Sequence, residues 1–298
     1  MEVVKSKVNP ATLSAGRQVQ DKAKDFASVE ETPHWLDETH PNYLRWKRAR
    51  DLSIEKGEVV ERILSQYINP ENLKILDLGC GNGGTSIVLS RKNFVVSLEI
   101  DLIKLKGQDS ENQNLVNANA LQLPFRSVSF DIIILQDVIE HILEPKRIIN
   151  SCKEILKKNG ILYISTPNKF SIINVISDPH WGLPLLSVFK RDSIKKYFLR
   201  FFRKKDMSRK DIAQLFSLNQ IRILLGNDFG LQMNTRNAVS QLFGGRKGIL
   251  WSNFHLTLLR VIDFLKLKKL FLKLSNDRFG IVNKYFIPTF YITAFKKD

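Results

Sequence analysis

From residue 73 to residue 167 the chain alternates short runs of Ile, Leu and Val with segments whose apolar residues recur at helical spacing. LKILDLG reads as a strand, TSIVLSRK as a helix, NFVVSLEI as a strand, DLIKLKGQ as a helix and NLVNANA as a short strand. FDIIILQD follows, its four consecutive apolar residues implying a strand buried on both faces. PKRIINSCKEILKKNG reads as an amphipathic helix ended by Gly160, and ILYISTP as the fifth strand. Branched strands that alternate with helices need right-handed crossovers. The expected architecture is therefore α/β, a doubly wound, mostly parallel sheet with helices on both faces.

The flanks are less regular. Residues 1–42 are polar and mixed and read as an N-terminal arm, while residues 43–298 make up one domain. Within 43–68, Val59, Val60, Ile63, Leu64 and Tyr67 recur at helical spacing, and Pro70 is the expected stop. After the fifth strand, residues 168–215 and 237–284 leave the rhythm and read as two insertions. Between them, 217–235 resumes as helix, turn and strand, and FIPTFYITAF adds a seventh strand.

The first strand runs into ILDLGCGNGG, residues 75–84, a turn whose glycines permit positive φ and let backbone amides approach a ligand. Gly79, Gly81 and Gly84 satisfy the G-x-G-x-x-G spacing of a dinucleotide site. Gly79, Gly81 and Gly83 satisfy a G-x-G-x-G variant that suggests methyl transfer instead. Glu99, at the end of the second strand, suits a ribose diol under either reading, and its neighbour Asp101 is placed to cap the next helix. Asp77 separates the two readings. An acid there, in an otherwise apolar strand, suits a ligand with an ammonium group and no pyrophosphate.

The order of Asp77-Leu-Gly-Cys-Gly-Asn-Gly83, Glu99, Asn119-Ala120, LPF…SFD and QDVIEH resembles the class I S-adenosylmethionine-dependent methyltransferases, and among them the ubiquinone-biosynthesis type. The likeness covers residues 75–168 well and the rest of the sheet loosely. It implies a seven-stranded Rossmann-like sheet and S-adenosylmethionine as cofactor. By position, it places Asp77 and the backbone of Gly79, Gly81 and Gly83 at the methionine part of the cofactor. Glu99 falls at the ribose hydroxyls, Asn119 at the adenine where the family more often has Asp, Ala120 and Leu121 at the adenine walls, and Gln136 over the methionine end. The Asn/Asp-Pro-Pro-Tyr type of motif that amino-methylating relatives use is absent at residues 136–141, so a hydroxyl acceptor is expected.

A hydroxyl must lose its proton, and histidine is the usual group for that at neutral pH. His141, just past the fourth strand, and His180, in the rigid DPHWGLP loop after the fifth, are the two candidates. His34, His40 and His255 show no ligand spacing, and the sequence displays no metal constellation.

Charge points to the partner. Residues 1–150 carry 19 Lys and Arg against 21 Asp and Glu, whereas residues 151–298 carry 27 against 9. Lys190–Lys210 interleaves ten basic residues with Tyr197, Phe198, Phe201 and Phe202. In residues 249–274, Asn253, Thr257, Arg260, Asp263, Lys266, Lys269 and Lys273 form a narrow polar stripe on a Leu/Phe-rich helix. Such a helix is either buried or laid in a membrane interface. A small or lipid-linked acceptor (a quinone precursor, a glycan or an envelope intermediate) is thus expected, with contact to an anionic membrane surface. An RNA acceptor, or cofactor binding without turnover, are the alternatives. Two cysteines, no signal-peptide pattern and no spanning run lead to the expectation of a cytoplasmic protein, peripheral at the inner membrane face.

Overall fold

Seven strands form one sheet in the order β3-β2-β1-β4-β5-β7-β6 in the computed structural model, which describes residues 33–108, 114–209, 211–246, 248 and 253–297. The mostly parallel α/β expectation holds. The chain divides into two compact units, residues 1–124 with 237–272 and residues 125–236 with 273–298.

In the first unit, β1 (Lys74–Leu78) pairs in parallel with β2 (Phe94–Glu99), and β2 with β3 (Asn114–Asn117). Ile75, Leu76 and Leu78 of β1 and Val95 and Leu98 of β2 are buried, which fits strands covered on both faces. The expected helix over 43–68 is two helices, α1 (Tyr43–Asp51) and α2 (Ser53–Leu64), broken at Leu52. The break lets each bury a different face. α1 buries Tyr43 and Arg50, while α2 buries Val59, Val60, Ile63 and Leu64. The second helix stops at Leu64, well before Pro70.

α2 packs on α3 (Gly84–Ser90), the helix that follows the glycine turn, almost backbone to backbone. A Cβ at Gly57 would stand 2.8 Å from the Gly84 carbonyl oxygen, and one at Gly84 would stand 2.3 Å from the Ser53 carbonyl. Gly84 therefore serves close helix packing; its φ is ordinary.

Residues 1–32 of the expected arm lie outside the described residues, but 33–42 are packed rather than loose. Trp35 and Leu36 are buried beside Trp46 and Ile103. The Trp35 indole donates to Asp101 Oδ2 at 3.0 Å, and the Arg50 guanidinium donates to the Trp35 carbonyl at 2.8 Å.

In the second unit, β4 (Phe130–Gln136) and β5 (Leu156–Pro167) are parallel. β7 (Thr289–Lys296) runs antiparallel between β5 and β6 (Phe229–Met233). α5 (Pro145–Ile155) buries Ile148, Ile149, Cys152 and Ile155 on one stripe, after the short α4 (Leu102–Lys106) of the first unit. Gly160 does not end α5. The helix stops at Ile155, Leu156 already pairs with Phe130, and Gly160 sits inside β5, past an irregularity at which Asn159 takes φ 60°. A Cβ there would meet the Leu156 side chain at 2.8 Å and the Lys157 carbonyl at 2.9 Å.

The two stretches read as insertions hold α6 (Ile172–Ile176) and a helix over residues 191–202, here α7. A π-helical stretch, Ile194–Leu199, interrupts α7. α8 (Leu218–Leu225) is opened by a capping box between Ser217 and Gln220. Then follow α9 (Thr235–Phe243), α10 (Asn253–Phe264), α11 (Lys268–Leu274) and α12 (Ile281–Tyr285). The single Leu/Phe-rich helix expected over 249–274 is thus two helices, because Lys266 adopts φ 56° and breaks the run; residues 249–252 lie outside the described residues. Among the α10 residues whose burial is described, only Ile262 and His255 are buried, while Phe264, Leu265, Leu270, Phe271 and Leu274 are exposed. No helix among the described residues is long and apolar enough to cross a membrane.

Candidate functional site

The glycine turn leaves β1 with Gly79, Gly81 and Gly83 all at positive φ, between 55° and 75°. Gly81 stands over open space, since a Cβ built there meets nothing within 4 Å. Its amide donates to Glu99 Oε2 at 2.9 Å, so the carboxylate at the end of β2 fixes the middle of the turn. The other oxygen, Oε1, accepts from the Ile100 and Asp101 amides at 2.9 and 3.0 Å. Glu99 is buried, and a carboxylate accepting three bonds has one lone-pair position left for a ligand hydroxyl. Asp101 is the N-cap of α4, accepting from the Ile103 and Lys104 amides, as its position in the sequence suggests.

Asp77 faces Ser97 across the β1–β2 ladder and is wholly buried; Ser86 donates to its Oδ2 at 2.7 Å. Burial pushes its pKa up from 3.8 to about 6, with the charge of Glu99 adding to the effect and the Ser86 bond opposing it. A buried carboxylate held near neutrality has much to gain from a cationic partner. An ammonium group would stabilise its charged form.

Asn119 lies beyond β3 in a turn that it closes itself: its Oδ1 accepts from the Leu121 amide at 2.9 Å, and its carbonyl from Gln122 at 2.9 Å. Ala120 and Leu121 are half-buried in this turn. Gln136 is the last residue of β4 and pairs in register with Ser165.

Past Gln136 the chain turns sharply at Asp137, a non-glycine residue at φ 57°. Its amide donates to the Ser165 carbonyl at 2.9 Å, and Ser165 Oγ donates back to its side chain at 3.0 Å. Asp tolerates the left-handed region better than most residues, and strain of this kind gathers at functional turns. The turn delivers Glu140 and His141 in one 3₁₀ turn at the carboxyl end of β4.

His141 and His180 meet edge to face, ring centroids 5.2 Å apart. Each ring is half-buried. His141 Nδ1 lies 2.6 Å from the Asp211 carbonyl oxygen, which can only accept. Nδ1 therefore carries the proton, and in the neutral ring Nε2 holds the lone pair. His180 is fixed by its own loop: Asp178 Oδ1 accepts from the His180 and Trp181 amides at 2.9 and 2.8 Å. Glu140, wholly buried, accepts from Thr166 Oγ1 at 3.0 Å. The fold brings together three residues that the sequence keeps apart. Donor atoms of Glu140, His141 and His180 all lie within 4.8 Å of one another.

Sequence reasoning missed Gln108, which is buried and donates to the Gly81 carbonyl at 2.8 Å and to Cys80 Sγ at 3.2 Å. It braces the glycine turn from behind, and a lone Gln after a Lys-rich helix carries no pattern that announces this. It missed Arg191 as well, whose guanidinium bonds to the carbonyls of Ile212 at 2.6 Å and Glu140 at 2.9 Å. In the sequence Arg191 is one basic residue among ten.

On α7, Tyr197, Phe201 and Phe202 are 62–73 % exposed beside Lys196 and Arg200, and Lys204 and Lys205 in the turn that follows are exposed as well.

Residues 76–164 match the methyltransferase-domain family. An uncharacterized protein of Methanocaldococcus jannaschii is 31% identical over 141 residues, covering 47% of this chain and 60% of that protein. The ubiquinone biosynthesis O-methyltransferase of Bartonella quintana is 26% identical over 180 residues, covering 56% of this chain and 66% of that enzyme. The matched stretches stop short of two thirds of either relative. The solved S-adenosylmethionine-dependent methyltransferase of Mesorhizobium loti aligns at 13% identity over 81% of this chain and 100% of its own, with a TM-score of 0.50, a likeness of fold.

Proposed function

We propose that this chain, which carries a class I S-adenosylmethionine-dependent methyltransferase domain, methylates an oxygen of a small or lipid-linked acceptor. The observation that carries the cofactor reading is Asp77, buried and raised to about 6 beside a glycine turn whose middle opens onto empty space. S-adenosylmethionine supplies an activated methyl group on a sulfonium and an ammonium that matches this carboxylate. Asp77 takes the ammonium, and the turn of Gly79, Gly81 and Gly83 lets the methionine part lie on the backbone. Glu99 receives a ribose hydroxyl on its remaining lone pair. Asn119 uses its oxygen within its own turn, so its amide NH₂ is the group that reaches adenine, walled by Ala120 and Leu121. The dinucleotide reading of the turn gains nothing from this arrangement, because a pyrophosphate beside Asp77 would be repelled.

In the reaction an acceptor oxygen attacks the methyl carbon, the carbon–sulfur bond breaks with its electron pair going to sulfur, and S-adenosylhomocysteine leaves. Aligning nucleophile, methyl and sulfur contributes on the order of 7–11 kcal/mol in well-oriented systems. The hydroxyl proton must go somewhere, and the pair of His141 and His180 at the carboxyl ends of β4 and β5 is the group assigned to manage it.

The exposed aromatic and basic side chains of α7 favour an acceptor embedded in, or tethered to, an anionic surface. The same charges support the second reading, an RNA acceptor. Methyl-labelled S-adenosylmethionine incubated with the purified protein and an extract of its own cells, followed by phase partition, separates them. Label in the organic phase is expected. Label in RNA would replace the lipid-linked acceptor with nucleic acid, and cofactor binding without any labelled product would leave a binding protein.

A further inference from the structure

We propose that Glu140, His141 and His180 form a binding site for one divalent transition-metal ion of the Zn²⁺, Co²⁺ or Fe²⁺ type. Three donor atoms from these residues already lie within 4.8 Å of one another. Bond lengths of about 2.0–2.2 Å to imidazole nitrogen and carboxylate oxygen require a somewhat tighter cluster, within reach of modest side-chain rotation. Two imidazoles and one carboxylate are the donor set that such ions prefer over Mg²⁺ or Ca²⁺, and three protein ligands leave positions open for water or substrate.

What surrounds the three residues is built as metal sites are built. The His141 Nδ1–H is spent on the Asp211 carbonyl, which leaves Nε2 in the unprotonated state that ligates. Asp211 is itself held in place, because Arg209 grips its carboxylate with Nε and Nη2 at 2.8 and 2.9 Å. Glu140 is wholly buried with Oε2 accepting from Thr166, and one-oxygen coordination needs only Oε1. The backbone on either side is clamped by Arg191, which donates to the Glu140 and Ile142 carbonyls at 2.9 and 3.4 Å.

His180 comes from a different element and is held just as firmly. The Gly182 amide returns to the Asp178 carbonyl at 2.7 Å, so the loop is closed at both ends. Trp181 anchors it among Leu186, Ile194, Leu199 and Ile212, with the Arg209 guanidinium 5.4 Å from its ring. A flexible surface histidine would need no such scaffold.

Metal binding stands without the methyl-transfer reading; only its chemical consequence rests on that reading. With the ion in place the two imidazoles are ligands rather than bases. An acceptor hydroxyl bound to the cation would be acidified by its charge.

The test uses the full chain stripped with a chelator, with neither S-adenosylmethionine nor acceptor present. Co²⁺ is titrated and followed by visible absorption, and Zn²⁺ competition is followed by equilibrium dialysis. One Co²⁺ per chain, displaced by Zn²⁺, is expected. H141A and H180A should each weaken binding by at least about 100-fold. H180A changes a half-buried loop side chain, so its melting temperature without metal should match that of the parent even if a Glu140→Gln variant fails to fold. Absence of stoichiometric Co²⁺, or undiminished binding by H180A, would overturn the site. So would loss of the ion on replacing His34, His40 and His255 together while H180A retains it. Calorimetry with S-adenosylmethionine on the same protein keeps the two readings apart. Cofactor binding without metal binding defeats this inference alone, and metal binding without cofactor binding defeats the methyl-transfer reading alone.

Discussion

The glycine turn and the histidine cluster are both built at the carboxyl ends of parallel strands, yet by opposite means. The turn after β1 is local. Asp77, Gly79, Gly81 and Gly83 are near neighbours in the chain, and the turn is largely backbone that Glu99 and Gln108 hold through Gly81. The cluster after β4 is assembled from afar, with Glu140 and His141 on one turn, His180 on a loop, and Arg191 and Asp211 fixing them. A backbone site tolerates changes in side chains that do not touch it. A side-chain site fails when any member of its scaffold moves.

The largest expected effect tests the local site. D77N keeps the shape and removes the charge that answers an ammonium, so cofactor affinity should fall by about 2–5 kcal/mol in a calorimetric titration, the range for losing one member of a buried charge pair. An unchanged affinity would move the cofactor's amine elsewhere. The same substitution should raise stability at pH 7 by up to about 3 kcal/mol, because a charged Asp77 is forced into a dry setting.

The sign of that effect sets the pH dependence. Asp77 titrates near 6 when folded and near 3.8 when unfolded. The folded chain therefore holds the extra proton between these values, and the stability it contributes is complete below about 4 and lost as the pH rises through about 6. Cofactor binding should run the other way, weakening as the pH falls below about 6 and the carboxylate loses the charge that meets the ammonium. Titrations at pH 5, 6 and 7 check this, and a flat profile would show that Asp77 stays ionised throughout.

Next in size is the packing behind the turn. G84A places a methyl 2.3 Å from the Ser53 backbone, which cannot yield as a flexible side chain would. A loss of about 1–3 kcal/mol in denaturant unfolding is expected, together with weaker cofactor binding as α3 is displaced. G81A makes a sharper comparison: its Cβ meets nothing, so any loss of stability comes from φ 55° alone, and a loss of cofactor affinity beyond that marks the space as the ligand's.

The smallest effect belongs to α7. Replacing Lys196 and Arg200 by Ala should reduce binding to vesicles rich in phosphatidylglycerol by roughly 1 kcal/mol for each charge, leaving cofactor affinity unchanged. Sedimentation with vesicles reads this directly.

Much of the local site was legible in the sequence because its determinants are short-range. Periodicity marked β1 to β5, glycine spacing marked the turn, and Asp101 announced itself as a cap. The misreadings share a cause. Nothing near Leu52 or Lys266 in the sequence distinguishes a continued helix from a broken one: at Leu52 the two halves bury different residues, and at Lys266 the backbone turns to φ 56°. Gly160 read as a helix stop because glycine usually is one, whereas here the ladder with Phe130 starts at Leu156 and overrides the preference. Gln108, Arg191 and the nearness of His180 to His141 are tertiary facts with no spacing to betray them.

The antiparallel β7 has a bearing on how the second unit comes into being. Ribosomal synthesis delivers β4, β5 and β6 before it, yet β6 pairs only with β7, and β5 meets its second neighbour only there. Until β7 emerges, β6 has no strand beside it and one side of β5 presents bare hydrogen-bonding groups, an invitation to pairing with other chains. The nascent protein therefore passes through an interval in which the sheet edge at β5 is an unfinished template, closed by a strand whose Phe290, Ile292 and Ala294 are fully buried once in place.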